Sequence, residues 1–201
     1  HNTILCAAVV TEDMGTGERT HHTYADDEES ILKQLTELVR SSDPDIITGY
    51  NIDNFDMGRI VDRANLISKR DKSKKVETMG WGRVSTSEEG RRRDTLYPTR
   101  GVSRAWNVGG RCVMDAWWQA RQALRPQRET LKFVSNLLFP DDEDMQKMDV
   151  DASKMDEEWA NRPDVVIEYC LRDAELPLDI MHAIQAFRRK EAVAAVAKVS
   201  L

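Results

Sequence analysis

The sequence predicts a layered α/β domain in which a mixed sheet is flanked by helices. Short apolar runs bounded by turn residues are typical of strands, and they alternate with longer stretches whose apolar residues recur at helical spacing. A hydrophobic content of 40% and a charged content of 32% are typical of a globular protein. The 201 residues show no internal repeat and no linker, which predicts a single domain over residues 1–201.

The N-terminal part of the chain predicts, in order, two strands, a helix, a strand and a second helix. The first strand is a buried apolar run, and the first helix follows four acidic residues and ends at a proline. The five elements are Ile4–Val10, Arg19–Tyr24, the helix that Asp43 and Pro44 end, Asp45–Tyr50 and Phe55–Ile67.

The periodicity fades between Ser68 and Gly110. The charge run Lys69–Lys75 is typical of a solvated loop, and the glycines around Gly82–Thr99 predict an inserted hairpin. Beyond this predicted hairpin, the pattern of apolar residues predicts one more strand and four helices. These are Arg111–Asp115, Ala116–Leu124, Glu129–Phe139, Pro163–Arg172 and about Glu175–Lys198. Pro177 is expected either to kink the helix, which could adjust the position of Asp173, or to begin a new helix, because proline removes a backbone hydrogen bond. The start of a new helix is the simpler interpretation.

The charge and the cysteines limit the classes of protein. A formal net charge of −6 argues against binding duplex DNA by bulk electrostatics and leaves room for a compact metal-dependent site. Three cysteines without CxxC spacing predict buried thiols in a reducing compartment. No apolar run approaches the roughly 20 residues of a membrane span, and no signal peptide is recognisable. We therefore expect no membrane partner and a cytoplasmic location.

The segment Asn51–Asp56 places an acidic residue directly after a predicted strand and at the start of a predicted helix. In open α/β folds, ligands collect at the edge where strands end. Carboxylate oxygens are ligands that Mg²⁺ prefers. Asp56 is therefore a candidate metal ligand, although Asp is also a favoured cap or first-turn residue of a helix. On this segment alone, the capping interpretation is the simpler one.

Tyr169 and Asp173 are four residues apart on a predicted helix and therefore share one face of it. A tyrosine hydroxyl beside a metal-held water can orient that water while the carboxylate holds the ion. The alternative is an amphipathic tyrosine at the edge of the core above a solvated aspartate, and the spacing alone does not decide between the two.

Taken together, the two segments resemble the second and third sequence blocks of DnaQ-like 3′→5′ exonucleases. The wider sequence around Asp43–Asp56, Gly110–Asp115 and Tyr169–Ala174 resembles the proofreading exonuclease domain of archaeal-type family B DNA polymerases. The resemblance implies a ribonuclease-H-like fold and two-metal hydrolysis, with Mg²⁺ or Mn²⁺, of the 3′-terminal nucleotide of single-stranded or frayed primer DNA.

The resemblance also implies the roles of individual residues. Asp56 and Asp173 would be metal-binding carboxylates, and Tyr169 would position the attacking water. Asn51 and Phe55 would lie beside the frayed primer end. The parent protein would carry the polymerase domain as a further partner in the same chain.

The first block of the family, an Asp-x-Glu on an apolar strand, has no counterpart in this sequence. Asp26–Glu28 and Asp141–Glu143 have the spacing, but neither lies on an apolar strand. We therefore expect a fragment of a larger polymerase that lacks an N-terminal strand and supplies two of four carboxylates. Such a chain would bind Mg²⁺ weakly and hydrolyse DNA slowly or not at all.

The alternative function is a non-catalytic, exonuclease-like module that binds single-stranded DNA or braces a polymerase. Arginines at 91–93, 100, 104 and 111 make the middle of the chain basic, and they suit either a solvated hairpin or a groove for a DNA strand. Trp117 and Trp118 follow Asp115, which resembles a recurrent family position and is equally explained as a helix cap. One of these tryptophans could offer a surface for base stacking.

Overall fold

The computed structural model describes residues 3–84, 95–141 and 154–199. The strands are β1 (Ala7–Glu12), β2 (Arg19–Tyr24), β3 (Ile46–Gly49), β4 (Thr99–Arg100), β5 (Trp106–Asn107) and β6 (Cys112–Asp115). The helices are α1 (Glu28–Ser42), α2 (Asp56–Ser68), α3 (Lys74–Met79), α4 (Ala116–Leu124), α5 (Leu131–Leu138), α6 (Met155–Asn161), α7 (Pro163–Ala183) and α8 (Ala186–Ala197). Among these residues, no helix is both long enough and apolar enough to cross a membrane.

The predicted α/β class is confirmed. The described strands form three two-stranded sheets, which pair β1 with β2, β3 with β6, and β4 with β5. The chain divides into two compact units, and the first takes residues 3–7, 24–47 and 51–114 while the second takes residues 8–23, 48–50 and 115–199. The prediction of a single domain over residues 1–201 stays a prediction.

In the first unit, α1, α2 and α3 pack on one another around a small apolar core. Leu32, Ala64 and Met79 are almost fully buried at its centre, with Ile4 and Tyr97 among the side chains packed around them. The Trp81 indole donates a buried hydrogen bond of 2.9 Å to the Thr36 hydroxyl of α1. Because helical stability comes mainly from burying an apolar face, these contacts explain why the three helices form here.

Helix α1 begins and ends close to the residues that the sequence predicts. The Asp27 carboxylate caps it by accepting hydrogen bonds from the amides of Glu29 and Ser30 at 3.1 and 3.2 Å. The helix ends where Asp43 takes a left-handed conformation, with φ of 44°. Arg111 binds the Asp43 carboxylate at 2.8 Å from a side chain that is only 3% exposed. This arginine therefore holds the turn before β3 and is not a groove residue.

The predicted loop over Lys69–Lys75 is partly wrong, because α3 begins at Lys74. The chain forms a helix here because Thr78 and Met79 are buried and Lys74 pairs with Glu29 of α1 at 2.9 Å. At the C-terminal end of α3, the Arg40 guanidinium of α1 donates hydrogen bonds to the carbonyls of Val76 and Gly80. A Cβ at residue 80 would lie 2.0 Å from the Arg40 guanidinium, so this position needs glycine.

In the second unit, α7 packs against α4, α5, α6 and α8. The hairpin of β1 and β2 belongs to the same unit, and β2 and α4 have the predicted bounds. The first strand begins at Ala7 instead of Ile4. Ile4 leaves the strand because its side chain packs into the core of the first unit and its amide donates to Glu28 at 2.8 Å.

The predicted break before Glu175 is wrong. Helix α7 runs without interruption from Pro163 to Ala183 and contains Pro177. Leu176, Pro177 and Leu178 are all buried, so packing outweighs the backbone hydrogen bond that proline cannot make. The break lies at Gln185, whose φ of 54° ends one helix and precedes the next.

Most of the predicted hairpin over Gly82–Thr99 lies outside the described residues, as do the arginines at 91–93. At its C-terminal end, β4 pairs antiparallel with β5, with Thr99 opposite Asn107 and Arg100 opposite Trp106. This short ladder lies in the first unit, and Trp106 contacts Asp53 in the segment after β3.

Candidate functional site

The segment Asn51–Asp56 forms a compact turn between β3 and α2. Asn51 has a left-handed backbone, with φ of 62°, and its carbonyl accepts hydrogen bonds from the amides of Asn54 and Phe55. The Asn54 side-chain amide donates to the Asn51 side-chain oxygen at 2.8 Å. Asn tolerates the left-handed conformation better than most residues, which explains an Asn at this position.

Asp53 anchors this turn to β5, a role that no sequence motif indicated. Its carboxylate is 6% exposed and accepts a hydrogen bond from the Trp106 amide at 3.2 Å. The Trp106 indole donates in turn to the Asp53 carbonyl at 2.9 Å. The partner is 53 residues away along the chain, so no local pattern could have revealed the contact.

Phe55 and Asp56 are therefore held at the surface at the start of α2. Phe55 is 58% exposed, and the Arg59 guanidinium lies 5.7 Å from the centre of its ring. Phe55 occupies the cap position without a side-chain cap bond, and Asp56 is the exposed first residue of the helix. Asp56 is therefore a first-turn acid and not the cap, and a carboxylate there suits the positive end of the helix dipole.

Tyr169 and Asp173 lie one turn apart on α7, and both are half-buried. Burial, the charge of Asp173 and a hydrogen bond to Asp173 together raise the pKa of Tyr169 from 10.0 to about 12. The hydroxyl is consequently protonated at neutral pH and can donate a hydrogen bond. The structure thus brings this predicted pair together on one helix face.

Next to Asp173, a network of charged residues ties α7 to the β1–β2 hairpin. The Arg19 guanidinium lies 2.7 Å from Glu12, 2.7 Å from Asp179 and 3.4 Å from Glu175. Burial opposes the charge on Arg19, but hydrogen bonds to Asp179 and Glu12 raise its pKa above the ordinary value. Because two strands and one helix share this cation, it fixes the position of the helix that carries Tyr169 and Asp173.

The network extends to two histidines of the same unit. His21 lies 3.3 Å from Glu175, and His182 is within hydrogen-bond distance of Glu12, whose side chain is 5% exposed. Burial alone would raise the pKa of Glu175, but hydrogen bonds from His21 and Arg172 hold it below the usual value. Sequence reasoning missed this network, because its partners are more than 150 residues apart.

Asp115 is the cap of α4. It is 4% exposed, and its carboxylate accepts a hydrogen bond from the Trp117 amide at 2.9 Å. The predicted cap role is therefore confirmed. Tyr50, which follows β3, donates from its hydroxyl to the Glu129 carbonyl at 2.8 Å and joins that point to the start of α5.

The predicted site residues fall into two groups. Asn51, Phe55 and Asp56 lie together in the first unit, and Tyr169 and Asp173 lie together in the second. Within the part of the chain that the structure describes, no three His, Cys, Asp or Glu side chains are grouped so as to hold a metal ion. The donors that are present, an exposed carboxylate and a carboxylate beside a tyrosine, fit the oxygen chemistry that Mg²⁺ prefers.

The sequence was compared with families of known proteins. The profile described as DNA polymerase family B, exonuclease domain, matches residues 10–134. This match includes the Asn51–Asp56 segment and ends before Tyr169.

Curated relatives extend the similarity. The DNA polymerase delta catalytic subunit of Caenorhabditis elegans is 30% identical over 79% of this chain and 14% of the relative. That of Mesocricetus auratus is 31% identical over 87% of this chain and 15% of the relative. The chain thus spans about one seventh of the length of these curated relatives.

A solved structure supports the fold. The family B DNA polymerase from the archaeon Pyrobaculum calidifontis matches 90% of this chain and 22% of its own length, with a TM-score of 0.62 and 19% identity. The chain therefore has the fold of this part of the solved polymerase, as the family resemblance predicted.

Proposed function

This chain belongs to the exonuclease domains of the family B DNA polymerases, and from that membership we propose that it is a proofreading 3′→5′ exonuclease domain. The reaction is hydrolysis of the 3′-terminal nucleotide of single-stranded or mispaired primer DNA. The observation that carries the proposal furthest is the hydrogen-bonded pair of Tyr169 and Asp173 on α7.

In this reaction, Asp56 and Asp173 supply carboxylate oxygens to Mg²⁺ or Mn²⁺. Divalent ions of this kind stabilise the charge that grows on the attacking and leaving oxygens of a phosphodiester. The exposure of Asp56 supports its role, because a carboxylate at the surface can reach an ion without first breaking a buried contact.

Tyr169 orients the attacking water. The hydroxyl donates its one proton to Asp173, so its oxygen can accept a hydrogen bond from the water and thereby orient it. The hydrogen bond to Asp173 fixes where that hydroxyl points.

Phe55 and Asn51 contact the frayed primer end. An exposed phenylalanine offers a face on which a terminal base can stack, and the nearby Arg59 can meet a phosphate. Asn51 acts mainly through the turn, because its carbonyl and side chain hold Asn54 and Phe55 in place.

The partners of this activity are the primer strand and the polymerase domain of the parent protein. Two carboxylates alone would bind a metal ion weakly, so we expect slow hydrolysis by this chain alone. A cytoplasmic location stays a prediction of the sequence.

The test is digestion of a 5′-labelled single-stranded oligonucleotide with Mg²⁺, with Mn²⁺ or with a chelator. In a version of the chain lengthened at its N-terminus by the Asp-x-Glu strand of the family, we expect a metal-dependent ladder that shortens from the 3′ end, and a loss of about 10²-fold or more in rate for Asp56→Asn and Asp173→Asn. Matched controls are Asp62→Asn on the exposed side of α2 and Asp164→Asn in the first turn of α7, and both should keep the full rate.

Metal-dependent digestion that survives Asp173→Asn would contradict the assigned roles. Tight binding of single-stranded DNA without any digestion, including by a longer version of the chain, would instead favour the non-catalytic module.

A further inference from the structure

The C-terminal end of α4 and the turn after it form a groove that the proposed reaction does not use. We call it the α4 groove; its volume is about 450 Å³, within the range of sites that hold small ligands. It is lined by Trp118, Arg121, Gln122, Arg125, Pro126 and Glu129. All of these residues belong to the second unit.

Trp118 is the aromatic wall of this groove. It is 42% exposed and is the most exposed of the five tryptophans, all of which lie in the described part of the chain. Its neighbours Ala116 and Ala120 face inwards and are buried, so the orientation of α4 forces Trp118 outwards. Tryptophan is enriched at binding interfaces, and its exposed ring lies here beside cations.

The groove carries positive charge although the protein is acidic. Arg121, Arg125 and the adjacent Arg128 are exposed, and among the lining residues two arginines and one glutamate leave one net positive charge. Arg121 contacts Glu129 through Nε at 3.2 Å, and the other N–H donors of the guanidinium can still meet a phosphate. This local charge contrasts with the net charge of −6 for the whole chain and favours an anionic ligand.

The geometry of the aromatic residues suits a planar group. Trp117 and Trp118 meet edge to face with ring centres 4.6 Å apart, which restricts the orientation of the Trp118 ring. The Arg121 guanidinium lies 5.5 Å from the centre of that ring. A nucleobase can stack on the exposed part of Trp118 while Arg121 and Arg125 meet the phosphates on either side of it.

We propose that the α4 groove binds single-stranded DNA, with one unpaired base stacked on Trp118 and its phosphates held by Arg121 and Arg125. Only the choice of DNA as the ligand rests on the proposed exonuclease function. Helix α4 packs on α7, and the lining of the groove includes neither Tyr169 nor Asp173, so we assign to the groove a part of the strand other than the hydrolysed nucleotide.

The test measures binding of a fluorescein-labelled 16-nucleotide oligo(dT) to the 201-residue chain by fluorescence anisotropy, in a chelator so that no hydrolysis occurs. Trp118→Ala should weaken the Kd about 5- to 150-fold, the value of one stacked base, while Trp118→Tyr should bind nearly as well as the wild type. Leu137→Ala, which removes another exposed apolar side chain from the same unit, is the matched control and should have no effect.

Charge is tested with Arg125→Glu against Arg188→Glu, an equal charge change at an exposed position on α8. Only Arg125→Glu should weaken binding and reduce the slope of log Kd against log salt by about 0.7, the loss of one phosphate contact. An oligonucleotide with abasic sites separates stacking from charge, because the effect of Trp118→Ala should disappear on it.

A change of less than twofold for folded Trp118→Ala overturns the proposal and leaves the groove as a surface for another protein. An equal loss on the abasic oligonucleotide overturns the stacking role. The proposed function is judged separately, because Asp173→Asn should abolish hydrolysis and leave this affinity unchanged.

Discussion

Replacing Arg19 by methionine tests how strongly the ionic network holds α7. Methionine keeps an apolar stem of similar length but removes the guanidinium that lies within 3.4 Å of three carboxylates. The change leaves the Glu12 carboxylate, whose side chain is 5% exposed, beside the His182 ring and without the guanidinium. An uncompensated charge at a nearly buried position is costly, whereas an exposed pair contributes little.

The expected loss lies between these two limits. Breaking a fully buried pair costs about 3–5 kcal/mol and an exposed pair about 0–1 kcal/mol. Arg19 is 23% exposed, so we expect the free energy of unfolding to fall by about 2–3 kcal/mol. For a chain of this size, that corresponds to a Tm lower by roughly 4–12 °C.

The measurement is urea unfolding followed by tryptophan fluorescence, with a thermal melt beside it. The matched control is Arg162→Met in the same unit, which breaks a pair with Glu158 within one turn of helix; because the Arg162 side chain is 49% exposed, the change should cost less than about 1 kcal/mol. Adding Glu12→Gln to Arg19→Met should recover part of the loss, because no unpaired carboxylate then remains. A loss no larger than that of the control would refute the reasoning.

Three further predictions concern titration and the Asn51–Asp56 turn. Because the folded pKa of Tyr169 is raised to about 12, the stability that this tyrosine contributes is present below about pH 10 and is lost as the pH rises towards 12. Absorbance at 295 nm should show this ionisation, and Asp173→Asn should lower the pKa of Tyr169. Burial alone would raise the pKa of Glu28, but hydrogen bonds from Arg63 hold that pKa below 4.5. The stability that Glu28 contributes is therefore lost as the pH falls below about 4.5. When the free energy of unfolding is measured across acid pH, Glu28→Gln should make it fall less steeply. Asp53→Ala should lower the free energy of unfolding by about 1–3 kcal/mol, because the buried Trp106 amide loses its acceptor. Hydrogen exchange of that amide should then become faster, and unchanged exchange would contradict the anchoring role.

The elements that sequence reasoning predicted well have local signals. Helix α1 has a capping aspartate, apolar residues at helical spacing and a proline after its end, and its bounds are close to the prediction. Helix α4 has the predicted bounds for the same reason, because Asp115 caps it and Pro126 follows it. Strand β2 also has the predicted bounds, although its Arg19 pairs with distant residues of α7. Local chemistry determines where the two helices begin and end.

The wrong predictions concern elements that depend on distant contacts. The charged segment before Met79 forms a helix because α1 supplies Glu29 and Arg40 to it. Pro177 stays inside α7 because its surroundings are buried. Such contacts join residues tens of positions apart, and the pattern of a single segment carries no trace of them.

The sequence predicted the motif residues of the candidate site but not the contacts that position them. The family motifs identified Asp56, Tyr169 and Asp173, and the structure adds the hydrogen bond between the last two. The anchoring of Asp53 by Trp106 and the ionic network around Arg19 depend on contacts across 53 and about 160 residues. Only the folded chain reveals them.

The most direct test of the central claim is 3′→5′ degradation of a labelled single-stranded oligonucleotide with Mg²⁺ and Mn²⁺. This chain is run beside a version lengthened at its N-terminus by the Asp-x-Glu strand that the family resemblance leads us to expect, each with an Asp173→Ala control. We predict activity in the longer version that Asp173→Ala abolishes, and slow or no digestion by this chain. No digestion by either version, with both folded, would contradict the exonuclease assignment.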